Sequence, residues 1–143
     1  MNRNPHRRTK GSPIYEAITR GIVVRVVTTY LPAQSDPEQS RYPWAYMIEI
    51  ENHGEEAVQL ISRRWEITDA LNRTEIVTGP GVVGEQPHLK PREAFRYSSG
   101  CPLPTPSGEM RGSYQMITDE GEAFEAEIPA FSLHLPTARK TVN

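Results

Sequence analysis

The sequence predicts an all-β protein, a two-sheet antiparallel sandwich of the immunoglobulin or fibronectin type III kind. Three observations lead to this prediction. Short runs rich in β-branched and aromatic residues alternate apolar and polar side chains with a period of two. Clusters of glycine, proline, asparagine and aspartate separate the runs, and no stretch has the spacing of an amphipathic helix. We expect seven or eight strands, and a closed barrel is the alternative.

The first strand covers residues 22–30 and ends before Pro32. Its β-branched residues include apolar groups on both faces, so part of it is expected to be covered on both sides. A polar loop follows over residues 33–41. Ser35 stands three residues before a glutamate, a spacing that predicts a one-turn helix with Ser35 as its cap.

The clearest half-buried strand covers residues 44–51, because its apolar residues fall on every second position. A turn over residues 52–56 leads to a strand over residues 58–68. The apolar residues of that strand change from even to odd positions partway along. Since a period of two changes phase only when an extra residue is inserted, we predict a β-bulge near residues 61–63.

The next strand, residues 73–78, leads into a loop rich in glycine. After it we expect a short strand over residues 94–98 and a second irregular stretch over residues 99–108, where prolines and glycines are frequent. The remaining segments alternate as strands or form a hairpin turn: residues 110–118, 119–122 (the turn), 124–128 and 131–135.

The length of 143 residues fits one domain with a sizeable core. The net charge of −2 provides no basic field that would attract nucleic acid. We expect a disordered basic tail over residues 1–13, one domain over residues 14–135 and a flexible tail over residues 136–143. With no apolar run long enough for a membrane span and no apolar export signal, we expect a cytoplasmic protein without a membrane partner.

Cys101 is the only cysteine, which excludes an intramolecular disulfide. A nucleophilic thiol needs a base and a positive environment, and neither stands out beside Cys101, so we expect a buried structural cysteine. The four histidines lack metal-ligand spacing. We therefore expect no catalytic residue, no cofactor and no metal site. Weak binding of magnesium or cobalt by acidic turns, such as that around His53, is a minor alternative.

Residues 79–84 carry the pattern G-x-G-x-x-G, which joins a strand to a helix in dinucleotide-binding folds. Pro80 and Pro87 disfavour a following helix, so we predict a glycine corner between two strands. Backbone N–H groups of this corner, with basic residues nearby, could still bind a phosphate. The candidate ligand- or partner-binding residues are Gly79, Gly81, Gly84, Glu85, Gln86, Lys90, Arg92, Ser99 and Gly100.

Several longer motifs occur in one order along the chain. Gly-Pro-Gly-Val-Val-Gly-Glu-Gln-Pro spans residues 79–87, Phe-Arg-Tyr-Ser-Ser-Gly-Cys-Pro-Leu spans residues 95–103, and Gly-Ser-Tyr-Gln-Met spans residues 112–116. With these motifs the chain resembles the ApaG family over about residues 15–135. Arg64 departs from the family pattern, in which many relatives have histidine, and this weakens any metal role for that position.

The resemblance implies a fibronectin type III-like sandwich in a small bacterial cytoplasmic protein, whose customary label concerns cobalt and magnesium efflux. Similar domains in eukaryotic proteins act as protein-interaction modules. Without a membrane span the chain would regulate efflux rather than conduct ions. We expect a non-enzymatic binding module with a protein partner, present as a monomer or weak homodimer. The alternative is a sensor that binds a phosphate, pyrophosphate or nucleotide at the glycine corner.

Overall fold

The computed structural model describes residues 14–135. The expected tails, residues 1–13 and 136–143, lie outside the described residues. Two short 3-10 helices, Pro32–Gln34 and Pro37–Gln39, interrupt an otherwise all-β chain. The strands are β1 (Tyr15–Thr19), β2 (Ile22–Tyr30), β3 (Tyr42–Asn52), β4 (Val58–Asp69), β5 (Thr74–Pro80), β6 (His88–Leu89), β7 (Ala94–Leu103), β8 (Ser107–Thr118) and β9 (Ala123–His134).

The strands form two antiparallel sheets. The first sheet has the order β1-β2-β3-β7, and the second has the order β5-β4-β8-β9, with β6 also paired to β4. This arrangement confirms the predicted two-sheet sandwich, and the sheets remain separate rather than closing into one barrel. The described residues contain more strands than expected because β1 and β6 are short, 5 and 2 residues long.

The inner faces of the two sheets meet in one core. At its centre lie Tyr46 from the first sheet with Trp65 and Phe131 from the second, and the Trp65 and Phe131 rings stand perpendicular at 5.9 Å. Phe131 also packs against Tyr15, with ring centroids 5.9 Å apart, so it joins β9 to β1. These contacts close the sandwich along the β1–β9 side.

The opposite side of the sandwich carries the two other edge strands. Because β1 and β9 lie together at one side, β7 and β5 end their sheets at the other. The Glu75 carboxylate of β5 contributes to raising the pKa of the Cys101 thiol of β7. The glycine corner follows directly after β5 and therefore lies on this side.

The predicted bulge is present in β4. The pairing of β4 with β8 skips Ile61, between Leu60 and Ser62, so Ile61 is the extra residue. Beyond it the inner face of β4 carries odd-numbered residues, as the change of apolar phase predicted. A second bulge was not predicted: β9 has two residues, Pro129 and Ala130, opposite the single Arg111 of β8.

The irregular stretch predicted over residues 99–108 is wrong. β7 continues to Leu103, and β8 begins at Ser107. Pro102 is accommodated because β7 is an edge strand. On the outer side of an edge strand no neighbour needs a backbone N–H group, so a proline costs no hydrogen bond there. Likewise the last two predicted runs form the single strand β9, since Pro129 falls in its bulge.

The predicted helix cap in the first long loop is also wrong. Ser35 ends one 3-10 helix, and Asp36 precedes the next without a side-chain hydrogen bond to it. Ser40 adopts a left-handed conformation with φ 56°. Asp36 and Arg41 instead exchange backbone hydrogen bonds of 3.0 Å, which close this loop as a small bridge.

Candidate functional site

The glycine loop, defined as residues 79–87, is a tight turn between β5 and β6. Val82 N–H donates to the Glu85 carbonyl at 2.8 Å, and Glu85 N–H donates to the Val82 carbonyl at 2.9 Å. The two residues between them, Val83 and Gly84, have φ of 40° and 83°. Positive φ at both central positions is the geometry of a tight hairpin turn. The loop is thus a corner between strands, as predicted.

Gly81 is required by the path of the chain. Its φ is 60°, and a Cβ atom added to it would lie 2.2 Å from the Glu85 carbonyl oxygen. Gly84 also has a positive φ, but a Cβ atom there would meet nothing within 4 Å. The first of these glycines therefore serves close packing of backbone on backbone, and the second serves the turn conformation alone.

The β4 bulge holds the glycine loop in place. The Ile61 carbonyl accepts hydrogen bonds from Gly81 N–H and from the Gln86 side-chain amide, both 2.8 Å long. Gln59 donates from its side chain to the Gln86 carbonyl at 2.9 Å. Val82, which is 1% exposed, packs in the core and so anchors the loop. The loop is therefore fixed at its base, and Gln86 acts as one of the ties.

Arg63 supports the loop from inside the sandwich. The bulge places this residue on the inner face of β4, opposite Tyr114. Its guanidinium donates to the carbonyls of Pro80 and Gly81 at 3.1 and 2.9 Å. A Cβ atom on Gly79 would lie 3.0 Å from the guanidinium nitrogens, so a glycine leaves the room that Arg63 occupies.

A group of tyrosines lines the interior beside Arg63. The hydroxyls of Tyr97 and Tyr114 are hydrogen-bonded to each other within the core. Burial raises the pKa of Tyr97 well above its usual value, and the hydrogen bond with Tyr114 and the Arg63 charge oppose that rise. Burial also raises the pKa of Tyr46, against the effects of Ser99 and Arg63. These phenols remain protonated at neutral pH.

Ser99 lies next to this group, because it stands opposite Tyr46 in the pairing of β3 with β7. The structure thus brings Gly79 and Gly81 together around Arg63, and places Ser99 beside Tyr46. Sequence reasoning missed Arg63 as a site residue. The signal was present, since an arginine placed directly after a phase change falls on the inner face of its strand.

The other predicted site residues are distributed more widely. Gly84 and Glu85 lie at the exposed tip of the glycine loop. Lys90 and Arg92 belong to the next turn. There Arg92 N–H donates to the Asn52 carbonyl, and Lys90 N–H donates to the Glu93 carboxylate. Gly100 pairs with Ala45 and is exposed along the β7 edge. These last three residues do not share the Arg63 site.

The loop offers few free donors to an anion. The N–H groups of Gly81, Val82 and Glu85 are all used in backbone hydrogen bonds, and Pro80 has none. Among residues 14–135, no group of three histidine, cysteine, aspartate or glutamate side chains is arranged to hold a metal ion. Burial, assisted by the Glu75 carboxylate, raises the pKa of the Cys101 thiol to about 11, so the thiolate is scarce at neutral pH.

A shallow groove of about 300 Å³ crosses the outer face of the second sheet, away from the glycine loop. It is lined by charges of both signs, including Arg64, Arg111, Glu125 and Glu127. Arg64 forms an ion pair with Glu66 at 2.6 Å. The mixed charges favour neither an anion nor a cation. In the part of the chain that the structure describes, no helix is long and apolar enough to cross a membrane.

Comparison with known proteins agrees with this architecture. An ApaA protein from Bordetella pertussis has a crystal structure that matches with a TM-score of 0.78 and 50% identity, covering 80% of this chain and 94% of that one. The C-terminal domain of wzt shares the fold alone, with a TM-score of 0.52 at 9% identity over 85% of this chain and 77% of that one.

Sequence relatives extend over almost the whole chain. A protein ApaG from Caulobacter vibrioides is 65% identical over 137 residues, covering 96% of this chain and 98% of that protein. One from Rhodospirillum centenum is 58% identical over 130 residues, covering 91% of this chain and all 100% of that protein. The ApaG domain family matches residues 32–118. With the sandwich, the glycine loop and these relatives in agreement, the chain belongs to the ApaG family.

Proposed function

We propose that the protein is a non-enzymatic binding module that engages a protein partner through the tip of the glycine loop. One observation carries the proposal: the loop is a rigid turn, tied to β4 at its base, with Val83, Gly84 and Glu85 exposed at its tip. A preformed loop on a β-scaffold binds without a large cost of ordering.

The chemistry of the Arg63 site supports binding rather than catalysis. Arg63 Nη1 donates to the Pro80 and Gly81 carbonyls. The Tyr97 and Tyr114 hydroxyls are engaged with each other, and the raised pKa of Cys101 keeps its thiol protonated. A general base or nucleophile needs a free, accessible group that changes protonation near neutral pH. Each polar group named here instead supports the loop or the core.

The physiological role follows from the family resemblance. A contribution to cobalt or magnesium efflux would be exerted on a partner protein, with the module in the cytoplasm. The exposed apolar Val83 and the neighbouring acidic Glu85 favour a partner surface that combines an apolar pocket with a basic rim.

Affinity capture from an extract of the source organism tests the proposal. Gly84→Trp and Glu85→Ala change the exposed tip, and Glu120→Ala, in the exposed β8–β9 turn, is the matched control. The tip variants should weaken a captured partner by at least about tenfold in a direct binding assay, since central contact residues carry most of the binding energy. The proposal fails if the tip variants keep every partner that the control keeps.

The alternative function is a sensor for phosphate, pyrophosphate or a nucleotide at the glycine loop. It has less support, because the Gly81, Val82 and Glu85 amides are already bonded and Lys90 and Arg92 lie in the next turn. Amide chemical shifts recorded during a pyrophosphate titration would decide. If the amide signals of residues 79–84 shift saturably at millimolar pyrophosphate, the sensor function is supported in place of the protein-binding proposal.

A further inference from the structure

The outer edge of β5 is free to pair. Within the described residues, β5 has β4 as its neighbour on one side and no strand on the other. Gly81 N–H donates to the Ile61 carbonyl, and Asp69 N–H donates to the Arg73 carbonyl. Odd-numbered residues therefore direct their backbone groups towards β4, and the alternate residues direct theirs outward. The outward-directed residues that have an N–H group are Thr74, Ile76 and Thr78, and Pro80 at the end of the strand has none.

These three residues form a palindrome about Ile76. If a second β5 runs antiparallel with its Ile76 opposite the first Ile76, each Thr74 stands opposite the Thr78 of the other copy. All three pairs then exchange both N–H···O bonds, which uses every outward-directed donor of the strand. On the outer face, threonine pairs with threonine and isoleucine with isoleucine, combinations that stabilise antiparallel pairs.

Exposed apolar side chains gather along the same hairpin. Among the described residues, six large hydrophobic side chains are exposed, and three of them are Leu71, Ile76 and Val83. They lie before, within and after β5. In the register centred on Ile76, the two Ile76 side chains cover each other, and Leu71 and Val83 flank the paired segment along the chain.

The outward-directed residues Thr74, Ile76 and Thr78 carry no charge or proline that would oppose such pairing. Natural edge strands are commonly blunted by lysine, proline or other charges. Within β5 the one charged side chain is that of Glu75, while Arg73 precedes the strand and Pro80 ends it. Glu75 lies on the inner side of β5, where it acts on the Cys101 thiol of β7, and it faces Val77 of the second copy rather than another acid.

We propose that two copies of this chain associate through their β5 edges, antiparallel about Ile76, so that the two second sheets become one continuous sheet. This self-association goes beyond the proposed binding of a partner protein. It is tested on the purified chain alone, so that its outcome is independent of whether a partner is captured at the loop tip.

Sedimentation of the purified protein up to about 1 mM tests the association, because an interface of one strand pair is small and expected to be weak. Ile76→Lys places two like charges opposite each other and should raise the concentration of half-dimerisation by at least about tenfold. Ile18→Lys, at a residue of β1 that is 63% exposed against 48% for Ile76, should leave it unchanged. A wild-type chain that remains monomeric throughout overturns the proposal.

Disulfide trapping tests the register without relying on a destabilised variant. Ile76→Cys brings two cysteines to about 5.5 Å between Cα atoms, within disulfide range. Thr74→Cys offsets them by about 13 Å along the strand, because Thr74 of one copy lies opposite Thr78 of the other, four residues away. Under mild oxidation only Ile76→Cys should form a covalent dimer. Equal or faster cross-linking of Thr74→Cys, or none of Ile76→Cys, overturns the assignment.

Discussion

Gly81 and Gly84 both have positive φ, but only Gly81 lacks room for a side chain. In Gly81→Ala the new methyl group would meet the Glu85 carbonyl while the residue is held in a left-handed conformation. We expect the free energy of unfolding to fall by about 2–4 kcal/mol, the combined cost of strain and displaced backbone. Urea denaturation followed by tryptophan fluorescence measures this loss.

Gly84→Ala is the matched control for that change. Its backbone conformation is similarly unfavourable for alanine, yet its surroundings are open. We expect a loss of about 1 kcal/mol. Equal losses at the two positions would show that the close approach of Gly81 to Glu85 contributes nothing.

Burial of the Cys101 thiol predicts that the free energy of unfolding falls at alkaline pH. Its thiol has a pKa of about 11 in the folded protein, raised from 9.0 by burial and by the Glu75 carboxylate. As pH rises above 9, the unfolded chain loses this proton first, so the folded state loses stability until pH passes 11. The two-unit shift corresponds to about 2–3 kcal/mol. Unfolding free energies measured by urea at several pH values between 8 and 11 provide the test.

Cys101→Ala should flatten part of that pH dependence, because it removes the group that titrates. The buried tyrosines add to the fall in stability at higher pH, since burial raises the pKa of Tyr97 and of Tyr114. A variant whose stability falls as steeply as the wild type between pH 9 and 10 would contradict the assignment to Cys101.

At the scale of an element, the β4 bulge does two things. The extra residue Ile61 moves Arg63 to the inner face, and its carbonyl accepts the bonds that tie the glycine loop. Arg63→Met removes two hydrogen bonds to loop carbonyls while keeping most of the aliphatic volume. We expect a loss of about 1–3 kcal/mol and faster amide hydrogen exchange in the glycine loop.

Arg64→Met serves as the control for Arg63→Met. Arg64 is the next residue along β4, but its side chain is 45% exposed on the outer face and pairs with Glu66. Surface pairs of this kind contribute little, so stability and loop exchange should stay near those of the wild type. Unchanged loop exchange in Arg63→Met would exclude Arg63 as the support of the loop.

At the scale of the molecule, the sandwich is closed on one side and open on the other. Phe131 contacts Tyr15 and Tyr46 of the first sheet and Trp65 of the second, and it is 1% exposed. Phe131→Ala should therefore loosen both sheets and cost about 3–5 kcal/mol. Thermal and urea unfolding measure that cost.

Phe95→Ala gives the comparison, because Phe95 is partly buried and its ring pairs with Tyr97 alone among the described aromatic contacts. Its cost should be clearly smaller than that of Phe131→Ala. Similar losses for Phe131→Ala and Phe95→Ala would contradict a central role of Phe131 in the core. The open side carries β5, β7 and the glycine loop, which is where both proposed interactions lie.

Several structural features of this protein could be predicted from its amino-acid sequence alone. The alternation of apolar residues predicted the main strands and the sandwich, and the phase change in β4 predicted its bulge. Pro80 and Pro87 predicted a corner instead of a helix after the glycine motif. These predictions succeed because side-chain alternation and the restricted backbone of proline act over a few neighbouring residues.

Tertiary structure decided what the local pattern leaves open. Pro102 lies within a strand because β7 ends its sheet, and the position of a strand in its sheet depends on all the others. Arg63 of β4 meets the glycine loop, which is distant in sequence. The β5 edge is free because β6 and β7 pair elsewhere. Sequence alone determined the main strands and the family to which the chain belongs. The pairing and packing of distant strands determined which residues form the site, since those contacts depend on the whole fold.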